Sequence, residues 1–125
     1  MLKKILHCII YSFFEKISDI WRLTMSEIIK NDDHILVKPN TDIVASMAES
    51  FRSELQQIIQ EEGKDIIIDM DGVEMVDSVG IGVIIATHNS LGKIDKKLKI
   101  KNIMKDIHTL FTTMRLDRHF EIEAA

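Results

Sequence analysis

Asp77 and Ser78 stand side by side at the head of an apolar stretch, and Gly80 and Gly82 follow them. A carboxylate next to a hydroxyl suits a helix start, whose first turn presents unpaired N–H groups and a partial positive charge. The same place welcomes an anion, including a phosphate carried by the hydroxyl. Two uses are therefore open. In one, Asp77 is the helix N-cap, Ser78 fills the first turn, and the glycines let helix and sheet approach closely. In the other, the backbone is left bare so that a second protein can reach Ser78. Either use must account for the glycines, since each costs about 1 kcal/mol relative to alanine inside a helix.

Other chemistries find less support. The third glycine of the dinucleotide fingerprint is missing, and no glycine-rich loop ends in Gly-Lys-Ser/Thr. His7, His34, His88, His108 and His119 are scattered, without a His-x-x-x-His pair, so no metal site is expected and they read as surface or boundary residues. No nucleophile–base pair stands out, and an enzyme is not the expected reading.

The elements that must position this stretch follow from periodicity. Glu27 to Lys30 and His34 to Lys38 are short β-type runs around Asn31-Asp32-Asp33, which predicts a hairpin. Pro39-Asn40-Thr41-Asp42 stops the second strand and offers capping side chains, with Asp42 read as the cap. A helix is predicted over 42–62, because Ile43, Met47, Phe51, Leu55 and Ile58 or Ile59 recur at steps of three and four and Gly63 ends the run. Ile66-Ile67-Ile68 predicts a central strand covered on at least one side, closed by the turn signal Asp71-Gly72.

After Asp77 the residues Ile81, Ile84, Ile85, His88 and Leu91 mark one helical face, and Val83 and Ala86 make the remainder apolar too. That helix is expected to be buried along its length with its N-terminal tip exposed. Leu98, Ile100 and Asn102 fall on one face of a further strand, alternating with lysines. Asp106 could cap a third helix carrying Ile107, Leu110, Phe111 and Met114 on one side, and Phe120 and Ile122 belong to a last strand. The order β-β-α-β-α-β-α-β implies an α/β fold, a small mixed sheet with right-handed crossovers and neighbouring parallel strands. The basic stretch Lys93, Lys96, Lys97, Lys99, Lys101 and Lys105 reads as a solvated, aggregation-protected strand edge in preference to a docking patch for an acidic partner.

A chain of 125 residues makes one domain and can bury a core without staples. Its net charge of −4 argues against nucleic acid as the main partner, because phosphate binding needs a basic face. Cys8 is the single cysteine, which fits a reducing compartment, with the cytoplasm as the expected one. Residues 1–24 differ from the rest. Their apolar run from Ile5 to Phe14 is far short of the roughly 20 residues that cross a bilayer. Glu15, Lys16 and Asp19 follow without a small-residue cleavage site, against a signal peptide. Three readings stay open: an interfacial amphipathic helix touching a membrane, a helix docking on the domain or a partner, and an extension outside the folded unit. The last is preferred, including a start codon assigned too early, since Met25 offers a second start.

The segment IIIDMDGVEMVDSVGIGVIIATHNSL resembles the signature of the STAS domain, named for sulfate transporters and anti-sigma factor antagonists. It is most similar to that of bacterial anti-anti-sigma factors, in which a strand ending in Asp leads through a short loop to Asp-Ser-Ser/Thr-Gly-Leu-Gly. In element order the resemblance runs from Met25 to Ile122, so it implies a STAS-like fold over 25–125, with three main helices packed on a mixed sheet and residues 1–24 as a helical or non-native extension.

The resemblance further implies a protein-binding switch without cofactor or catalysis of its own. In the family a motif Ser or Thr is phosphorylated by a partner that is both kinase and anti-sigma factor, which brings the ATP and magnesium. Carried over, Ser78 is the phosphoacceptor, Asp77 the motif acid, and Gly80 and Gly82 the two glycines. Val79 departs from the pattern, since many relatives have a second hydroxyl there. Asp42 lies on the loop that neighbours the phosphorylation loop in the family, so it joins Asp77, Val79, Gly80 and Gly82 on the expected partner surface as the alternative to its capping role. The expected partners are an anti-sigma serine kinase and a phosphatase acting on phosphorylated Ser78. The alternative is a STAS accessory module of a lipid or anion transporter, which an apolar N-terminal helix at a membrane would suit.

Overall fold

The computed structural model describes residues 26–125; the expectations for residues 1–24 lie outside them. A hairpin of β1 (Glu27–Lys30) and β2 (His34–Lys38) opens the domain, then α1 (Ala45–Glu62), β3 (Asp65–Asp69), α2 (Ser78–Gly92) and β4 (Leu98–Ile103). The chain closes with α3 (Lys105–Thr113), a 3₁₀ turn at Leu116–Arg118 and β5 (Glu121–Ala124). The five strands form one sheet in sequence order, antiparallel between β1 and β2 and parallel thereafter.

Three successive crossovers run in one direction along the sheet, and all three helices contribute buried residues to the same core, as connections of one right-handed sense require. Alternation along the strands agrees with this. Ile35, Val37, Ile66, Ile68, Leu98 and Ile100 point into one continuous core. Leu36, Ile67 and Lys99 pair across the opposite face and are half-buried. The lysines of β4 belong to that face: Lys99 pairs with Glu121 and Glu123 at 3.7 and 3.3 Å, as a solvated sheet surface requires. Phe51 of α1 and Phe111 of α3 are fully enclosed, and truncating either to alanine is expected to cost about 3–5 kcal/mol.

Several expected details change. α1 opens at Ala45, three residues after Asp42, with Val44 extended at the N-cap and no capping side chain. Asp42 is therefore not the cap of this helix. Ile43 also leaves the helical stripe: it forms a one-residue parallel bridge to Val76, giving its N–H to Met75 O at 3.0 Å and receiving that of Asp77 at 3.2 Å. Periodicity could not separate these cases, because Ile43 is equally buried either way. Gly63 does end α1, in a left-handed conformation at φ 59°.

In β4 a register shift between Ile100 and Ile103 turns Asn102 out of the strand face and brings Ile103 into the core instead. Asn102 adopts φ 58°, and its amide donates to Asp69 Oδ1 at 3.0 Å. α3 begins at Lys105 behind Met104, so Asp106 lies in the first turn and caps nothing. Ile107 and Phe111 are buried, whereas Leu110 and Met114 are exposed, because only one narrow side of this short helix meets the sheet. In α2, Thr87 is buried where Ile85 and His88 are only half-buried. Its hydroxyl donates to Val83 O at 2.8 Å, which lets a polar residue face the core.

Asp69 closes the C-terminal end of the central strand and is a buried acid. Burial alone would push its carboxyl up. The Asn102 amide, the Asp71 N–H at 3.0 Å and the charges of Lys38 and Lys101 more than offset this, and the group is held below the ordinary value. A carboxyl depressed in the folded state contributes stability above its unfolded pKa of about 3.9 and loses it as pH falls through the folded value. The urea midpoint of the wild type should therefore be flat near neutrality and fall below about pH 4. Asp69→Asn should be less stable at pH 7 and show a shallower acid limb. An unchanged acid limb would remove Asp69 from this role.

Candidate functional site

The C-terminal ends of the parallel strands carry the site, the usual position for function in open α/β sheets. Between β3 and α2 the chain turns at Asp71-Gly72, with Gly72 at φ 82°, and continues as an irregular loop to Asp77. Asp42 fastens this run from the neighbouring loop: its Oδ1 accepts the N–H groups of Glu74 at 2.9 Å and Met75 at 3.1 Å. The Ile43–Val76 bridge continues the fastening by one residue. The carboxylate of Asp42 thus holds the loop that leads to Ser78.

Asp77 performs two caps at once. Oδ1 accepts from Gly80 N at 2.9 Å, the expected N-cap of α2. Oδ2 accepts from Ala45 N at 2.9 Å and so supplies α1 with the cap that Val44 lacks. Two positive helix ends converge on one carboxylate. The Gly80 and Ala45 N–H groups, in that order, hold Asp77 below the ordinary carboxyl range.

The two glycines have different reasons. Gly80 is buried, and a Cβ there would run into the carbonyl oxygen of Ile43 and lie 2.9 Å from its carbonyl carbon. Bareness at 80 is dictated by the approach of the two loops. Gly82 is exposed, and a Cβ there would meet nothing within 4 Å. The chain's own packing does not require it.

Ser78, the first residue of α2, is exposed. Val79 beside it is 49% exposed, and Met75 on the preceding loop is 58% exposed. Asp71 and Glu74 are exposed on the same loop, whereas Asp69 is buried at the end of β3. The structure therefore brings Asp42, Asp77, Ser78, Val79 and Gly80 together, with Gly82 one turn along α2. Two participants had no sequence signal. Ala45 contributes only a backbone N–H, and Asn102 reads as a strand residue until its left-handed conformation is seen. Among the described residues no group of three or more His, Cys, Asp or Glu is arranged to hold a metal, and no helix is long and apolar enough to cross a membrane.

The family profile described as STAS domain matches residues 25–125. The fold is similar to an anti-sigma factor antagonist from Mycobacterium paratuberculosis, at TM-score 0.72 and 19% identity over 81% of this chain and 86% of that one. It is also similar to the phosphorylated form of the Bacillus cell fate determinant SpoIIAA, at TM-score 0.65 and 14% identity over 80% and 91% of the two chains. A third similarity is to the murine anion transporter of solute carrier family 26, at TM-score 0.61 and 17% identity over 88% of this chain but 22% of the transporter.

The glycine pair gives a direct stability contrast. Gly80→Ala forces Ile43 and its loop to move and should destabilise by about 1–3 kcal/mol. Gly82→Ala should be neutral or stabilising by up to about 1 kcal/mol, from helix propensity alone. Denaturant midpoints of the two variants measure this, and equal losses at both positions would refute the division of roles.

Proposed function

The chain belongs to the STAS domain family, and from that premise we propose that it is an anti-sigma factor antagonist switched by phosphorylation of Ser78. Unmodified, it binds an anti-sigma serine kinase and so releases a sigma factor; modified, it lets the kinase go. The observation that carries this reading is the exposure of Ser78 at the head of α2, on a loop fastened from both sides by Asp42 and Asp77.

The mechanism is electrostatic. The first-turn N–H of Gly80 is already occupied by Asp77, so a phosphate on Ser78 does not replace the chain's own cap. It adds about −1.5 to −2 charge at neutral pH beside the carboxylates of Asp77, Asp42 and Glu74. A partner covering this surface would have to desolvate that dianion within an acidic rim, while the fold beneath remains as it was. Val79 removes the second hydroxyl of the family motif, which leaves Ser78 as the motif's one acceptor. A kinase contributes the ATP, the magnesium and the base, and a phosphatase resets the switch. The chain itself acts by binding, in the cytoplasm, without cofactor and without nucleic acid.

A second reading is favoured by the likeness to the anion transporter: a STAS accessory module bound to a lipid or anion transporter, with residues 1–24 in contact with the membrane. Phosphate transfer separates the two. Incubation with a cognate anti-sigma kinase and ATP should add one phosphate, mapped to Ser78 by mass spectrometry and absent in Ser78→Ala. Ser78→Asp should bind the kinase at least tenfold more weakly than the wild type, with an unchanged circular dichroism spectrum. Equal affinity of Ser78→Asp and wild type would count against the switch, and recovery of a transporter subunit as the stable partner would favour the second reading.

A further inference from the structure

α1 and α2 leave a groove of about 460 Å³ beside Ser78, and its walls are small: Ala45 and Ala48 on one side, Val79, Gly82 and Ala86 on the other. Glu49 and Arg52 stand along its α1 lip, both exposed. We infer that this groove receives one large apolar side chain from a helix of the kinase, flanked there by a basic and an acidic residue that meet Glu49 and Arg52. This rests on the reading of Ser78 as the phosphoacceptor and specifies how the partner is held.

Three observations support it. Gly82 lowers helix propensity, yet no atom of the described chain comes near the place of its missing Cβ. An unexplained bare position in the wall of a groove fits an incoming side chain better than it fits packing. Val79 is half exposed at the groove's mouth, one residue from Ser78, so a protein close enough to modify the hydroxyl also covers this opening. Glu49 and Arg52 form no ion pair among the described residues, and both are exposed, so a charge of each sign lines the lip. An apolar pocket with charged groups along its rim is the usual anatomy of an interface anchor. The adjacent acidic loop does not enter this pairing, so the anchor gives affinity while Ser78 gives control.

Calorimetric titration with the purified anti-sigma serine kinases of the source organism, each loaded with ADP, tests the inference. Gly82→Leu should keep or raise thermal stability and weaken binding at least tenfold. Ala86→Leu fills the groove from its far end and keeps the test open should Gly82→Leu fail to fold. Glu49→Lys and Arg52→Glu should each weaken binding several-fold. Wild-type affinity in a folded groove-filling variant would overturn the groove while leaving the Ser78 reading intact. Failure of every kinase to bind the wild type would overturn both. A wild-type dimer that Gly82→Leu breaks apart would place a second copy of this chain in the groove and overturn the assignment to the kinase.

Discussion

One carboxylate joins the two halves of the site. Asp77 accepts from the first turn of α2 through Oδ1 and from the first residue of α1 through Oδ2. Neither helix start has another side-chain cap. The two helices must therefore begin at the same place, and the loop before α1 must lie against the loop before α2. The Ile43 carbonyl records the consequence twice: it accepts the Asp77 N–H, and it occupies the space that a side chain at Gly80 would need. Asp77, Ile43 and Gly80 express a single constraint.

That constraint explains why Ser78 can be both exposed and fixed. Backbone bonds and two acids hold its loop, so the hydroxyl is presented on a rigid base. Asp69 secures the strand end below, through Asn102 of the next strand and the turn at Asp71. Ser78 itself is exposed at the head of α2, outside the packed core.

The glycines illustrate how much a sequence pattern conceals. Both sit in one motif and both carry the same intrinsic penalty. In the structure one answers to the chain itself, through Ile43, and the other answers to open space. Only distances distinguish them. The acids behave similarly: Asp69, Asp71, Glu74 and Asp77 are neighbours in sequence, yet Asp69 is buried against Asn102 and Asp77 is committed to two helices.

Local regularity determined a large part of this protein. Alternation along His34–Lys38, the triple isoleucine of β3, the three-and-four spacing in α1 and the Asp-Ser start of α2 each depend on near neighbours, and the element order and parallel topology follow from them. What tertiary structure alone decided lies where the chain meets itself over more than 30 residues. Asp42 left its expected cap for the backbone of 74 and 75, Ile43 left its helix for Val76, and Asn102, still within β4, turned off its expected face to Asp69. A short polar side chain satisfies a near or a distant N–H equally well, and a buried isoleucine looks the same in helix or bridge. Only the folded geometry, by bringing one set of partners within about 3 Å, makes the choice.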